Sequence, residues 1–225
     1  MTLVAGADVA KGQWVVVVLE GGRFSHALIE KTIPDVLGAI ANLTVLAVDI
    51  PIGLPEGKEH RACDIAARKF VGPRSSSVFY TPPRSVLDAP TYQEANPLSR
   101  RDYERGVSAQ AYALGQKIFE VGPIATGDDR VIEVHPEVCF RAMKGEPLDY
   151  SKHSWNGQAE RRQLIAGAGI DLPDNLPGAG KVPPDDLLDA AAAAWTAWRV
   201  AAGKAEVLPS SAAGCDTSQR AVIWY

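Results

Sequence analysis

The chain has 225 residues, enough for one substantial hydrophobic core, and its 46% hydrophobic and 22% charged residues are those of an ordinary globular protein. A formal net charge of -4 argues against a protein that coats nucleic acid by bulk electrostatics, but leaves room for a local basic patch. No apolar run approaches the ~20 residues that cross a bilayer, so no membrane association is expected.

The N-terminus enters a strand-like pattern directly and lacks a signal-peptide layout. Cys63, Cys139 and Cys215 are few, odd in number and widely spaced, which fits a reducing cytoplasm better than a disulfide framework. In chain order, LVAGADV (3–9) and QWVVVVLE (13–20) flank a Lys11-Gly12 turn, and RFSHALIE (23–30) follows Gly21-Gly22, predicting three antiparallel strands. IPDVLGAIANL has helical spacing, and TVLAVDIP is a short apolar strand stopped by Pro51. The intervening helix lets this fourth strand cross over and lie parallel beside the first. Asp8 and Asp49 then sit at the carboxyl ends of adjacent parallel strands, where open α/β sheets place their sites.

Residues 53–128 read as a long insertion, irregular in its first half, with SAQAYALGQKIFEV as a helix. RVIEVHPEVCF returns to strand, AERRQLIAGAG is helical, residues 185–202 form a long helix, and AVIWY is a last short strand that can close the sheet. The expectation is one α/β domain over 1–225.

The chemistry concentrates in VPPDDLLDAAAAAWTAWR (182–199). Asp185 follows two prolines and reads as the N-cap, while Asp186 and Asp189 share a helical face with Ala190 and Ala193. Carboxylates on a face that otherwise looks like core must be solvated, paired or bound to a cation. Asp8, Asp49, Asp186 and Asp189 therefore form a candidate ligand set for one or two Mg²⁺ or Mn²⁺ ions, which take hard oxygen ligands. Two such ions about 4 Å apart can activate a water and stabilise a leaving oxygen in phosphodiester hydrolysis. Glu133 is a candidate further ligand or general base. In EVHPE, Pro136 is read as preventing a regular helix, and His135 is either a proton shuttle or a buried hydrogen-bonded imidazole. His60 and Cys63 lack the second pair that a zinc site needs.

The basic stretch 61–84 is the candidate substrate surface. Arg61, Arg68, Arg74 and Arg84 could contact phosphates, Ser76 in RSSS offers a hydroxyl and an amide, and Phe79 or Tyr80 could stack on a base. The competing reading is a solvated, partly helical surface with pairs such as Arg61 and Asp64. Trp195 and Trp198 are core or interface residues, the latter admitting a homodimer.

GADVAKGQWVVV, AVDIPIGLP, RACDIAARKFVGPRSSSVF, IEVHPEVCF and DDLLDAAAAAWTAWR together resemble the successive blocks of domain-of-unknown-function family 429, described as predicted nucleases with an RNase H-like fold. The resemblance runs almost end to end. DLLDA is also similar to the last-helix acidic pair of RuvC-type Holliday-junction resolvases, which implies that role for Asp186 and Asp189. What the resemblance implies is an RNase H-like mixed sheet, an antiparallel three-strand meander plus parallel strands, with flanking helices and a metal-dependent nuclease activity on nucleic acid. Two other classes stay open. An ATP-dependent phosphotransferase of related core would need a second, duplicated domain, for which 225 residues leave no room. A non-catalytic member would bind nucleic acid or protein through the basic stretch.

Overall fold

The structure, a computed structural model, describes residues 1–210 and 221–225. Cys215 lies outside the described residues. The chain opens with three antiparallel strands, β1 (Leu3–Ala10), β2 (Gln13–Glu20) and β3 (Arg23–Glu30). The two-residue turn between the first pair holds Lys11 and Gly12 at φ 51° and 79°, the left-handed conformation that matches the twist of a tight hairpin. Helix α1 (Ile33–Ala39) starts at a reciprocal cap between Thr32 and Asp35, with Pro34 in its first turn. It leads to β4 (Leu43–Val48), which lies parallel to β1.

The insertion is more helical than its composition suggests. It carries α2 (Ala62–Val71), a 3-10 segment (Gly72–Ser77), α3 (Arg84–Leu87), α4 (Tyr92–Tyr103), α5 (Ala109–Ala113) and α6 (Gly115–Gly127). The stretch expected to be irregular thus contains a helix, α2, whose buried Cys63, Asp64, Ala67 and Val71 recur at helical spacing. The single helix expected over 108–121 divides at Leu114. Strand β5 (Val131–Glu133) adds parallel to β4 and completes a sheet of order β3-β2-β1-β4-β5. This is the expected RNase H-like mixed sheet.

Pro136 does not prevent a helix; it begins one. In α7 (Pro136–Lys144) the proline occupies the first turn, where no intrahelical amide is needed, and His135 accepts a hydrogen bond from the Glu137 amide as the cap. Helices α8 (Trp155–Gly167) and α9 (Pro184–Ala201) follow. AVIWY does not extend the main sheet as a full strand. Its residues Ile223–Trp224 (β7) pair with β6 (Val207–Leu208), and one parallel bridge joins Trp224 to Val134.

Alternation along the strands divides the interior in two. Val4, Val15, Val17, Val45 and Ala47 face α7, α8 and α9, whereas Ala5, Ala7, Val16, Val18, Leu46 and Val48 face α1 and α6. Helix α9 lies almost in backbone contact with β1, because a Cβ on Gly6 would come within 2.0 Å of the Ala194 amide nitrogen and 2.3 Å of the Ala190 carbonyl oxygen. The alanine run thus presses one turn of α9 onto the centre of the sheet, and this contact sets where Asp189 falls. Among the described residues, no helix is long and apolar enough to cross a membrane.

Candidate metal centre

Sheet register brings the first two aspartates together. Ala7 pairs with Val48 across the parallel β1–β4 ladder, and the Asp49 amide donates to the Ala7 carbonyl at 2.9 Å, so Asp8 and Asp49 leave the sheet side by side. Both continue the alternation that faces α9. Asp189, one residue before the alanines packed on Gly6, completes the group: Asp8, Asp49 and Asp189 each offer a carboxylate oxygen within 4.8 Å of the others. Asp8 and Asp189 are buried, and Asp49 is half-buried. Asp186 lines the same cleft one turn earlier, more exposed.

Asp185 does not cap. Helix α9 begins at Pro184, with Pro183 in the cap position and no side-chain cap, so both Asp185 and Asp186 fall inside the first turn. Asp185 instead pairs with His153 at 3.1 Å. The opposing charge within the centre comes from Lys152, in the loop joining α7 and α8, whose ammonium lies 2.5 Å from Asp189 Oδ2.

One ammonium does not compensate these carboxylates. Burial, then Asp49 and Asp189, push Asp8 well above the usual carboxylate range. Asp49 is pushed up to about 7 and Asp189 to about 6, in both cases by burial and against the pull of Lys152. Asp186 is raised by burial and by Asp185. Metal-free, the group holds carboxylates that resist ionising together. Its donors are all hard oxygens in a cleft of about 440 Å³, and this donor chemistry fits Mg²⁺ or Mn²⁺.

Glu133 does not join this group. It pairs in register with Val48, so its side chain leaves the opposite face of the sheet from Asp8 and Asp49. There it accepts two hydrogen bonds from Arg61, at 2.7 and 2.8 Å, and one from the Ile52 amide at 2.6 Å. Three of its acceptor sites are thus taken, burial pushes it up to about 7, and it lies outside the Asp8, Asp49 and Asp189 group, which corrects its expected part as a ligand to the same ion. Arg61 is corrected with it. Its guanidinium is buried and divided among Glu133, Asp64 and the carbonyls of Ile52 and Gly53, leaving nothing for a phosphate. Although burial opposes its charge, Glu133 and Asp64 hold its pKa well above the ordinary value. Cys63, Asp64 and Glu133 also converge, but Arg61 bonds both acids of that group and burial pushes the Cys63 thiol up, away from the thiolate a zinc ion needs. His60 stacks on Tyr80 with ring centroids 3.5 Å apart.

Of the other basic residues, Arg74 lines the cleft with Ser76, Ser77 and Phe79. Arg68 donates to the Val78 carbonyl and lies over the Tyr80 ring, so it shapes this segment from within. Arg84 sits over Phe119 and lines a separate groove with Ile118 and Tyr103, which removes it from the expected substrate surface. His135 lies in the cleft as the cap of α7, and burial lowers its pKa, so it is neutral and accepts through Nδ1. Trp195 and Trp198 pack against the core, Trp198 over Gly22. Sequence reasoning missed two residues. One is Lys152, a lysine in a polar loop with no local pattern. The other is Glu137, which lines the cleft and pairs with the fully buried Arg161, and whose Oε2 is buried without a hydrogen-bond partner.

The molecule is therefore an RNase H-like α/β protein with an acidic cleft at the carboxyl ends of its central parallel strands. Over residues 6–213 the sequence matches the family described as "Protein of unknown function (DUF429)", and the chain belongs to that family. No curated protein matches the sequence. Among solved structures, the chain is similar to the Thermus thermophilus RuvC structure, at 16% identity and a TM-score of 0.40, covering 90% of this chain and 98% of that one. It is also similar to T. thermophilus RuvC in complex with a Holliday junction substrate, at 14% identity and a TM-score of 0.42, covering 91% and 98%. Similarity at this level carries no site residue from one chain to the other.

Proposed function

We propose that this protein is a divalent-metal-dependent nuclease that hydrolyses phosphodiester bonds, with Asp8, Asp49, Asp186 and Asp189 holding Mg²⁺ or Mn²⁺. The observation that carries this reading is the convergence of Asp8, Asp49 and Asp189 within 4.8 Å in a cleft where burial raises all three. Carboxylates so placed cost stability, and a fold tolerates that cost where a cation or a function offsets it. The bound ion supplies an activated water and charge stabilisation at the leaving oxygen.

The chain's own residues supply binding and orientation. The Val9 amide donates to Asp8 Oδ1 at 2.7 Å and fixes the plane of that carboxylate. The Asp49 backbone is locked to β1, and Asp189 rides on the Gly6 contact. Arg74 and the Ser76 hydroxyl stand along the cleft to take phosphate oxygens, Ser77 Oγ donates to the Arg74 carbonyl, and Phe79, in the same lining, is the ring on which a base would stack. Arg68 is a positioning residue that holds this segment through Val78.

The test is to incubate the full chain with end-labelled single-stranded, duplex and junction DNA and with RNA, in Mg²⁺, Mn²⁺ or EDTA. The expected result is cleavage of at least one substrate with metal, none in EDTA, and none with Asp8→Asn or Asp189→Asn. Cleavage that survives in EDTA or in Asp189→Asn, or no cleavage of any substrate, would overturn the reading.

A further inference from the structure

Lys152 sits where a cation is needed. Its ammonium is 2.5 Å from Asp189 Oδ2, and its charge also acts on Asp8, Asp49 and Asp186. The side chain is 30% exposed, so it enters the centre from the rim of the cleft. Its loop is tied to α9 twice, through Lys152 to Asp189 and through His153 to Asp185.

Counting charge limits what else the centre can take. Asp8, Asp49, Asp186 and Asp189 with one ammonium leave a formal charge of minus three, which one Mg²⁺ or Mn²⁺ brings to minus one and a second would turn to plus one. Glu137 is paired through Oε1 with Arg161, although its charge still reaches Asp49 and Asp189. It leaves one buried, unpartnered carboxylate oxygen, Oε2, in the lining of the cleft. Asp186, more exposed, keeps part of its charge facing water. A second divalent ion would have to displace Lys152 from Asp189 or bring surplus positive charge into a partly desolvated cleft.

We propose that Lys152 is the centre's built-in second cation: the aspartates take one divalent ion, and the Lys152 ammonium occupies the other cationic position, facing the substrate phosphate. This rests on the metal-dependent reading above for the presence of an ion, and it fixes the stoichiometry that reading left open. Carboxylate oxygens on one side and an ammonium on the other let the chain hold its own half of a two-cation clamp.

The test counts ions and needs no turnover. The EDTA-stripped full chain is titrated with Mn²⁺, and free ion is read by electron paramagnetic resonance. Wild type is expected to bind one Mn²⁺ per chain, Lys152→Arg one, and Lys152→Gln two. Two ions in wild type, or one in Lys152→Gln, would overturn the proposal. No ion in either wild type or Lys152→Gln would overturn the metal reading itself, a distinct outcome. A second measurement uses wild type alone, in case Lys152→Gln does not fold. Amine labelling read by mass spectrometry should modify Lys152 equally slowly with and without saturating Mn²⁺, whereas a tenfold rise with Mn²⁺ would mean that the ion displaces the lysine, and the proposal would fail.

Discussion

The cleft holds two acidic groups within one fold, and they differ in how their charge is met. In the first, Glu133 and Asp64 receive the buried guanidinium of Arg61 through several hydrogen bonds, and backbone amides of Ile52 and Thr81 take further lone pairs. In the second, Asp8, Asp49 and Asp189 share one lysine reaching in from a loop. The first group is a structural joint between the insertion and the sheet, in which burial still pushes Glu133 up to about 7 but Arg61 bonds both acids directly. The second is under-neutralised, and its surplus charge is what makes it a candidate centre. Acidic residues lining a cleft are therefore not equivalent, and their hydrogen-bond partners separate joint from site.

Removing the cation should expose this contrast most strongly. Arg61→Ala strands two buried carboxylates and should cost about 3–5 kcal/mol, read by denaturant unfolding. Lys152→Ala should cost much less, because Lys152 is partly exposed and the aspartates can take up protons. Equal losses would erase the distinction drawn here.

The next effect is steric. Gly6→Ala places a methyl against the Ala190 and Ala194 backbone and should lift α9 from β1, at about 1–3 kcal/mol. Because Asp189 moves with α9, Mn²⁺ should then raise the melting temperature less than in wild type. A full metal response in Gly6→Ala would show that the helix contact does not set the centre.

A smaller effect appears in pH dependence. Asp49 and Asp189 bind protons more tightly folded than unfolded, since their folded values are raised to about 7 and about 6 from 3.8. Their contribution is present in full below about pH 4 and is lost as pH rises through 6 and 7. The melting temperature in EDTA should carry this decline between pH 4 and 8. Asp49→Asn should lessen it, with Asp8, Asp189 and Glu133 still contributing, raise stability at neutral pH and remove the Mn²⁺ response. An unchanged pH profile in Asp49→Asn would mean that Asp49 ionises freely.

The smallest effect concerns the basic stretch. Arg74→Ala should weaken nucleic-acid binding and reduce its logarithmic salt slope by about 0.7–0.9, one phosphate contact. Arg84→Ala should change neither, because Arg84 belongs to the groove beside Phe119. Equal effects from both would redraw the substrate surface.

These contrasts also show how far local sequence reached. Asp8 and Asp49 are legible because each lies near the carboxyl end of an apolar strand, and a crossover helix makes those strands parallel neighbours. Asp189 was legible through its alanine face. Glu133 misled because its strand has three residues, and its side is decided by pairing with Val48, which no pattern within residues 131–133 encodes. Arg61 misled because a surface arginine and one buried by a partner 72 residues away have the same local sequence. Lys152 gave no signal, since its role depends on a loop folding back onto a helix 37 residues later. Pro136 misleads because a proline that breaks a helix interior is also favoured at a helix start, which is where it stands.

The central claim is that Asp8, Asp49 and Asp189 jointly hold a divalent ion. Anomalous diffraction at the manganese edge, from crystals of the full chain grown with Mn²⁺, tests it most directly. The account predicts an anomalous peak bonded to oxygens of Asp8, Asp49 and Asp189 at about 2.0–2.3 Å, a hard divalent ion's range. A peak elsewhere, or none in that cleft at saturating Mn²⁺, would contradict it.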